Sequence, residues 1–134
     1  MYLSVISPVY NEHDNISLLY EEMIKALKDI GKDWEFILVD DGSVDGSMDE
    51  LQKLAQRDPI HVKVVSLRRN FGQTAAIAAG VDHSSGEIIV LIDADLQNDP
   101  ADIPMILSAA GEKPVRTISR EKFHRALRIR LLDA

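Results

Sequence analysis

The chain has 134 residues, 46% of them hydrophobic and 28% charged, with no cysteine and a net charge of −7. That length suits one domain with its own core. The lack of cysteine excludes disulfides and thiolate metal sites, and no stretch approaches the roughly 18 apolar residues of a membrane span. The charge is unevenly spread, with 8 Lys/Arg against 19 Asp/Glu in residues 1–111 and 7 against 3 in residues 112–134. An acidic body argues against a nucleic-acid partner, because a phosphate backbone requires a basic surface.

The first apolar run, residues 2–7, lacks a basic flank and reads as a strand, not a signal peptide. Residues 15–30 place Ile16, Leu19, Met23, Leu27 and Ile30 on one helical stripe, with Gly31 as the stop. A second strand is expected over 34–39. Ser43 is then expected to cap a helix reaching Ala55, with Met48, Leu51, Leu54 and Ala55 inward. A third strand over 62–67 precedes an Ala-rich helix over 73–83, and a fourth strand covers 87–92. Pro100 suits the first position of a helix reaching about Ala110. The strands are rich in Val, Ile and Leu with little alternation, as expected when both faces are buried. This order predicts an α/β fold with a mostly parallel sheet and helices on both faces. Beyond Gly111 the pattern weakens: residues 115–119 suggest a short strand, and 120–132 a basic amphipathic helix. The sequence therefore divides into a body, 1–111, and a basic tail, 112–134.

Each strand ends in a polar cluster, where ligands bind in open α/β sheets. These are Pro8-Val9-Tyr10-Asn11-Glu12, Asp40-Asp41-Gly42-Ser43, Arg68-Arg69-Asn70-Phe71-Gly72-Gln73 and Asp93-Ala94-Asp95-Leu96-Gln97. In an extended segment Asp93, Asp95 and Gln97 share one side, and their oxygens are hard donors suited to Mg²⁺ or Mn²⁺. A solvated loop capping the next helix is the plainer alternative. Asp40 and Asp41 point oppositely in an extended chain, so one can accept hydrogen bonds from a base or ribose while the other caps a helix. Tyr10 can flank a base and Glu12 can bind its edge or the ribose, or Asn11 and Asp14 are merely helix-start signals. Arg68 and Arg69 can hold phosphates, and Gly72 permits close backbone approach to a ligand. Neither G-x-G-x-x-G nor a P-loop motif occurs, which counts against dinucleotide oxidoreductases and P-loop NTPases.

Together these clusters resemble family-2 glycosyltransferases, whose nucleotide-sugar domain has the GT-A fold. The strings Arg69-Asn70-Phe71-Gly72-Gln73-Thr74-Ala75-Ala76 and Asp93-Ala94-Asp95-Leu96-Gln97-Asn98-Asp99-Pro100 resemble, more narrowly, the branch that glycosylates polyprenyl phosphates. The resemblance spans roughly residues 2–107. It implies that Pro8, Tyr10, Glu12, Asp40 and Asp93 line the nucleotide pocket. It further implies that Asp93 and Asp95 carry the catalytic role, and that Asp95 and Gln97 hold Mg²⁺ or Mn²⁺. The implied reaction moves a hexose from a UDP- or GDP-sugar to an undecaprenyl- or dolichyl-type phosphate, with inversion.

Complete members of that family continue well past this length. The acceptor half is therefore expected to be absent or truncated, and nucleotide binding is expected of this chain more than robust transfer. Two other readings keep the same pocket: a nucleotide-sugar-binding fragment without transferase activity, and a transferase acting on a saccharide hydroxyl. A receiver-like signalling domain would leave the Tyr10–Glu12 and Asp93–Gln97 clusters without roles. The basic tail is compatible with an anionic membrane surface, and equally with a solvated charged helix; the expectation is a cytoplasmic protein, peripheral at the inner face of the membrane in the first case. Apolar faces left uncovered by a missing half would favour self-association.

Overall fold

The computed structural model describes residues 1–94, 100–104, 107 and 117–119. Its elements in chain order are β1 (Leu3–Val9), α1 (Ile16–Leu27), β2 (Trp34–Asp40), α2 (Ser47–Arg57), β3 (Val62–Ser66), α3 (Gln73–Asp82), β4 (Ile88–Leu91) and β5 (Thr117–Ser119), with a 3-10 turn at Pro100–Asp102 before β5. The strands form one sheet in the order β3-β2-β1-β4-β5. The first four run parallel, and β5 pairs antiparallel with β4. The sheet thus continues past Gly111, where the sequence suggests that the body ends. The expected helix over 120–132 lies outside the described residues.

Strand order dictates which face each helix covers. From β1 to β3 the chain steps in one direction, then returns across β2 and β1 to place β4. Right-handed crossovers therefore put α1 and α2 on one face and α3 on the other. The packing follows. Leu3, Val5 and Val9 of β1 with Trp34, Phe36 and Leu38 of β2 meet Ile16, Leu19, Met23 and Leu27 of α1 and Leu51 and Leu54 of α2. Ile6, Ile37, Val39 and Ile89 point oppositely, onto Ala76 and Val81 of α3. Every residue of β2 is buried, which is why its sequence lacks a polar alternation. On the α3 face, a β-carbon at Gly80 would lie 2.5 Å from Ile6 Cγ2, so a side chain there would lift α3 off the sheet.

The N-terminal end of the sheet holds a buried polar network that the sequence does not announce. Glu35, wholly buried in β2, pairs through Oε1 with Lys63 Nζ at 2.6 Å. Its Oε2 accepts from the Ser4 hydroxyl and from the Ser85 N–H at 2.7 Å, while Gly86 N–H donates to Ser4 Oγ at 2.8 Å. This network binds β1, β2, β3 and the α3–β4 loop together. Trp34 is a core residue, as its sequence position suggests, and it stacks on His61 with centroids 4.0 Å apart. No helix among the described residues is long and apolar enough to cross a membrane.

Candidate functional site: a pocket at the strand C-termini

Strand order reverses where β4 joins the sheet beside β1, and loops at such a switch point diverge to leave a crevice. A cavity of about 440 Å³ opens there, lined by Pro8, Val9, Tyr10, Glu12, Asp41, Asn70, Gly72, Gln73, Asp93 and Ala94. Its size lies within the range of small-ligand pockets. All four sequence clusters contribute to it.

The loop after β1 is shaped by bonds to the loop after β2. Asn11 adopts φ +53°, a left-handed conformation that asparagine tolerates better than most residues. Its N–H donates to Ser43 Oγ at 2.9 Å, and its Oδ1 accepts the Val44 N–H at 2.9 Å. Glu12 N–H donates to Ser47 Oγ at 3.0 Å and His13 N–H to Asp45 Oδ2 at 3.2 Å. The Ser47 hydroxyl beside Asp45 holds that carboxyl below its usual range, so it remains an acceptor. These bonds leave Tyr10 exposed on the rim. Glu12 keeps its carboxylate beside the start of α1, where Oε2 accepts from Asn15 Nδ2 at 2.8 Å.

Ser43 does not cap α2. That helix begins at Ser47 after Gly46, because Ser43 is engaged by Asn11. Neither Asp40 nor Asp41 caps it either. Asp40 ends β2, and its Oδ2 accepts the Ser43 N–H at 3.2 Å, closing the turn. The other oxygen, Asp40 Oδ1, is buried without a hydrogen-bond partner in the protein. Asp40 is not among the residues that line the cavity, and Asp41 is.

Asp41 reaches across to the loop after β3. Its carboxylate accepts Phe71 N–H at 2.8 Å, Gly72 N–H at 3.0 Å and Asn70 Nδ2 at 3.2 Å, while its own N–H donates to Val9 O at 2.8 Å. The two loops approach so closely that a β-carbon on Gly42, at φ +76°, would lie 2.4 Å from Arg69 backbone carbon. Arg68 and Arg69 do not line the cavity. Arg69 lies over the Phe71 ring, 4.5 Å from its centroid, which places its charge on the outer surface of the loop.

Asp93 leaves the end of β4 onto the cavity wall, and its Oδ1 accepts from Gln73 Nε2 at 3.4 Å. Asp95 and Gln97, the expected metal ligands, lie outside the described residues. Among the described residues no three His, Asp or Glu side chains come together as a metal cage. The charged side chains among the described residues that line the cavity are all carboxylates: Glu12, Asp41 and Asp93. Such a wall accepts an anionic ligand only with a cation, and its hard oxygens suit Mg²⁺ or Mn²⁺. Sequence reasoning assigned no role to Gln73 or Asn70. Their signals are membership of the Arg69–Ala76 string and position around Gly72 at a strand-to-helix junction.

Comparison with known proteins agrees with this geometry. Residues 4–123 match the family model described as glycosyl transferase family 2. Over 123 residues, 90% of the chain, it is 45% identical to undecaprenyl-phosphate 4-deoxy-4-formamido-L-arabinose transferase of Edwardsiella ictaluri (strain 93-146), spanning 38% of that relative's length. Among solved structures, the mannosyltransferase PcManGT from Pyrobaculum calidifontis, in complex with GDP-Man and Mn²⁺, superposes with a TM-score of 0.73 at 25% identity. That match covers 83% of this chain and 32% of the other. TarS 1–349 of S. aureus, in complex with UDP-GlcNAc, superposes with a TM-score of 0.69 at 26% identity, covering 84% and 32%. The mostly parallel sheet with helices on both faces is thus GT-A-like.

Proposed function

The chain belongs to glycosyl transferase family 2, and from that premise we propose that it binds a UDP- or GDP-sugar in the cavity at the strand C-termini. It supplies the donor half of an inverting transferase whose acceptor is a polyprenyl phosphate. The observation that carries this reading is the meeting of all four strand-end clusters around one cavity. The curated relative named above is itself an undecaprenyl-phosphate transferase.

Each wall has a task. Tyr10 and Pro8 flank the base, and Glu12 binds its edge or the ribose. Asp40, whose buried Oδ1 has no hydrogen-bond partner in the protein, is assigned to the same nucleoside end. Asp93 faces the ribose and diphosphate, and with Asp95 and Gln97 it would hold Mg²⁺ or Mn²⁺. When bound, that ion supplies positive charge to offset the nucleoside diphosphate. The acceptor phosphate needs no general base, because its second pKa near 6 leaves it largely dianionic at neutral pH. Its oxygen attacks the anomeric carbon from the face opposite the diphosphate. The new C–O bond forms as the sugar–diphosphate bond breaks, which inverts the centre and releases the nucleoside diphosphate. The protein's work is alignment and electrostatic support. The basic segment 112–134 holds the protein at the cytoplasmic face of an anionic membrane, near such an acceptor.

Calorimetric titration of UDP and then GDP, with and without Mn²⁺, tests the donor site on wild type, Asp93→Ala and Asp95→Ala. The expected result is metal-dependent binding of one nucleotide, weakened at least tenfold in both variants. A folded wild-type chain that binds neither nucleotide overturns the reading.

A further inference from the structure

We propose that Asp41 is a positioning residue of the donor pocket: its carboxylate clamps the loop over 70–72 so that Gln73, the first residue of α3, holds Asp93 in register. This rests on the donor-site reading above and adds to it a role for two residues which that reading leaves unused.

Asp41 has little left to give a ligand. It is 4% exposed although it lines the cavity. Its Oδ1 accepts from Phe71 N–H, and its Oδ2 accepts from both Gly72 N–H and Asn70 Nδ2. Its backbone carbonyl takes a further bond from Asn70 Nδ2 at 3.2 Å. Hydrogen bonds to an ionised carboxylate are about twice as strong as neutral ones, and two successive backbone N–H groups aimed at one carboxylate leave the loop little freedom. By contrast, the neighbouring Asp40 keeps a buried oxygen without a partner. The two adjacent aspartates therefore differ: Asp40 keeps one buried oxygen unbonded, and Asp41 spends its acceptors on the protein.

The clamped loop is the sole covalent lead into α3. Gly72, at φ +104°, is the N-terminal flank of that helix, and Gln73 follows it directly. The Gln73 side-chain amide donates to Asp93 Oδ1 at 3.4 Å, on the cavity that Tyr10 and Glu12 also line. A connected path thus runs from the end of β2, through the loop after β3, to the carboxylate at the end of β4. The 3.4 Å separation is long for a hydrogen bond, as is common at sites without their ligand. The anchored end of the path is Asp41, which also donates its N–H to Val9 O, so the loop is referenced to β1 and the rim that carries Tyr10.

The test combines residue-resolved amide hydrogen exchange on the full chain with calorimetric titration of UDP and GDP in Mn²⁺. The variants are Asp41→Asn and Gln73→Ala. Asparagine keeps one acceptor oxygen, so one of the Phe71 and Gly72 amides is left facing an NH₂ group. We expect exchange at that amide to quicken at least tenfold in Asp41→Asn, while Ile6 and Leu38 in the sheet stay within twofold of wild type. Nucleotide affinity falls about tenfold in Asp41→Asn. In Gln73→Ala it falls several-fold, with Phe71 and Gly72 still protected. Unchanged exchange at Phe71 and Gly72 in Asp41→Asn overturns the clamp, including the case where affinity still drops, since that outcome marks Asp41 as a direct ligand contact. Faster exchange with undiminished affinity overturns the link to the pocket. A wild type that binds neither nucleotide removes the donor-site reading, and the clamp is then decided by the exchange data alone.

Discussion

The Asn11 side-chain oxygen accepts the Val44 N–H at 2.9 Å, fastening the loop after β1 to the loop after β2. Because Asn11 sits at φ +53°, the same residue both permits the turn and holds it. Asn11→Ala loses the bond and leaves in the left-handed conformation a residue that tolerates it less well than asparagine, a combined cost of about 1–2 kcal/mol. Asn11→Gly relieves the strain without restoring the bond. The glycine variant should melt between wild type and the alanine variant in a thermal scan, and both should bind nucleotide several-fold more weakly, since Tyr10 and Glu12 flank this turn.

Glu35 and Lys63 provide a test remote from the pocket. Lys63→Ala leaves the buried Glu35 carboxylate without its cation, a cost of about 3 kcal/mol for a fully buried pair, and less here because solvent screens the half-exposed lysine end. Glu35→Ala strands the Ser4 and Ser85 donors and should approach that figure. Chemical denaturation measures both, and either variant unfolding at the wild-type midpoint would contradict the network's role.

The same group sets a pH dependence. Burial pushes the Glu35 carboxyl up, but the bonds from Lys63, Ser4 and Ser85 outweigh it and hold the group below its usual range. The unfolded carboxyl titrates near the ordinary value of about 4.3, so the stabilisation is present above that pH. It is lost as pH falls further, through the lower folded value. Denaturation midpoints should therefore drop more steeply below about pH 4 in wild type than in Glu35→Gln.

Tyr20 gives the opposite sign. Its phenol donates to Asp58 Oδ2 at 2.8 Å, and burial together with that carboxylate pushes it up to about 12. The unfolded phenol titrates near 10, so stability is present below that pH and declines as pH rises from about 10 to 12. Tyr20→Phe should remove the absorbance step near 12 in a spectrophotometric titration and flatten the alkaline limb of the stability curve.

The basic segment makes a separable prediction. With 7 Lys/Arg against 3 Asp/Glu in residues 112–134, the full chain should sediment with anionic vesicles at low salt and release as ionic strength rises. A full-length variant with Lys122, Arg125, Arg128 and Arg130 changed to glutamine, which keeps β5, should stay in the supernatant. Equal sedimentation of the two would refute membrane contact through this segment.

Residue pattern alone was enough to place the four parallel strands and three helices, because continuous apolar runs and 3.6-residue stripes report burial directly. The strand-end motifs were visible for the same reason: polar clusters between such runs have nowhere to sit but the rim. What sequence could not resolve was partnership among residues close in the chain. Asp40 and Asp41 look interchangeable as letters, yet one closes its own turn and the other grips a loop some 30 residues away. Ser43 reads as a helix cap until Asn11 is brought against it. Glu35 sits inside an apolar strand with no local hint of Lys63, which only the β2–β3 register supplies. Local signals follow from the chain's own periodicity. These pairings depend on strand order and register, which close contacts between segments far apart in sequence and are settled only when the sheet assembles.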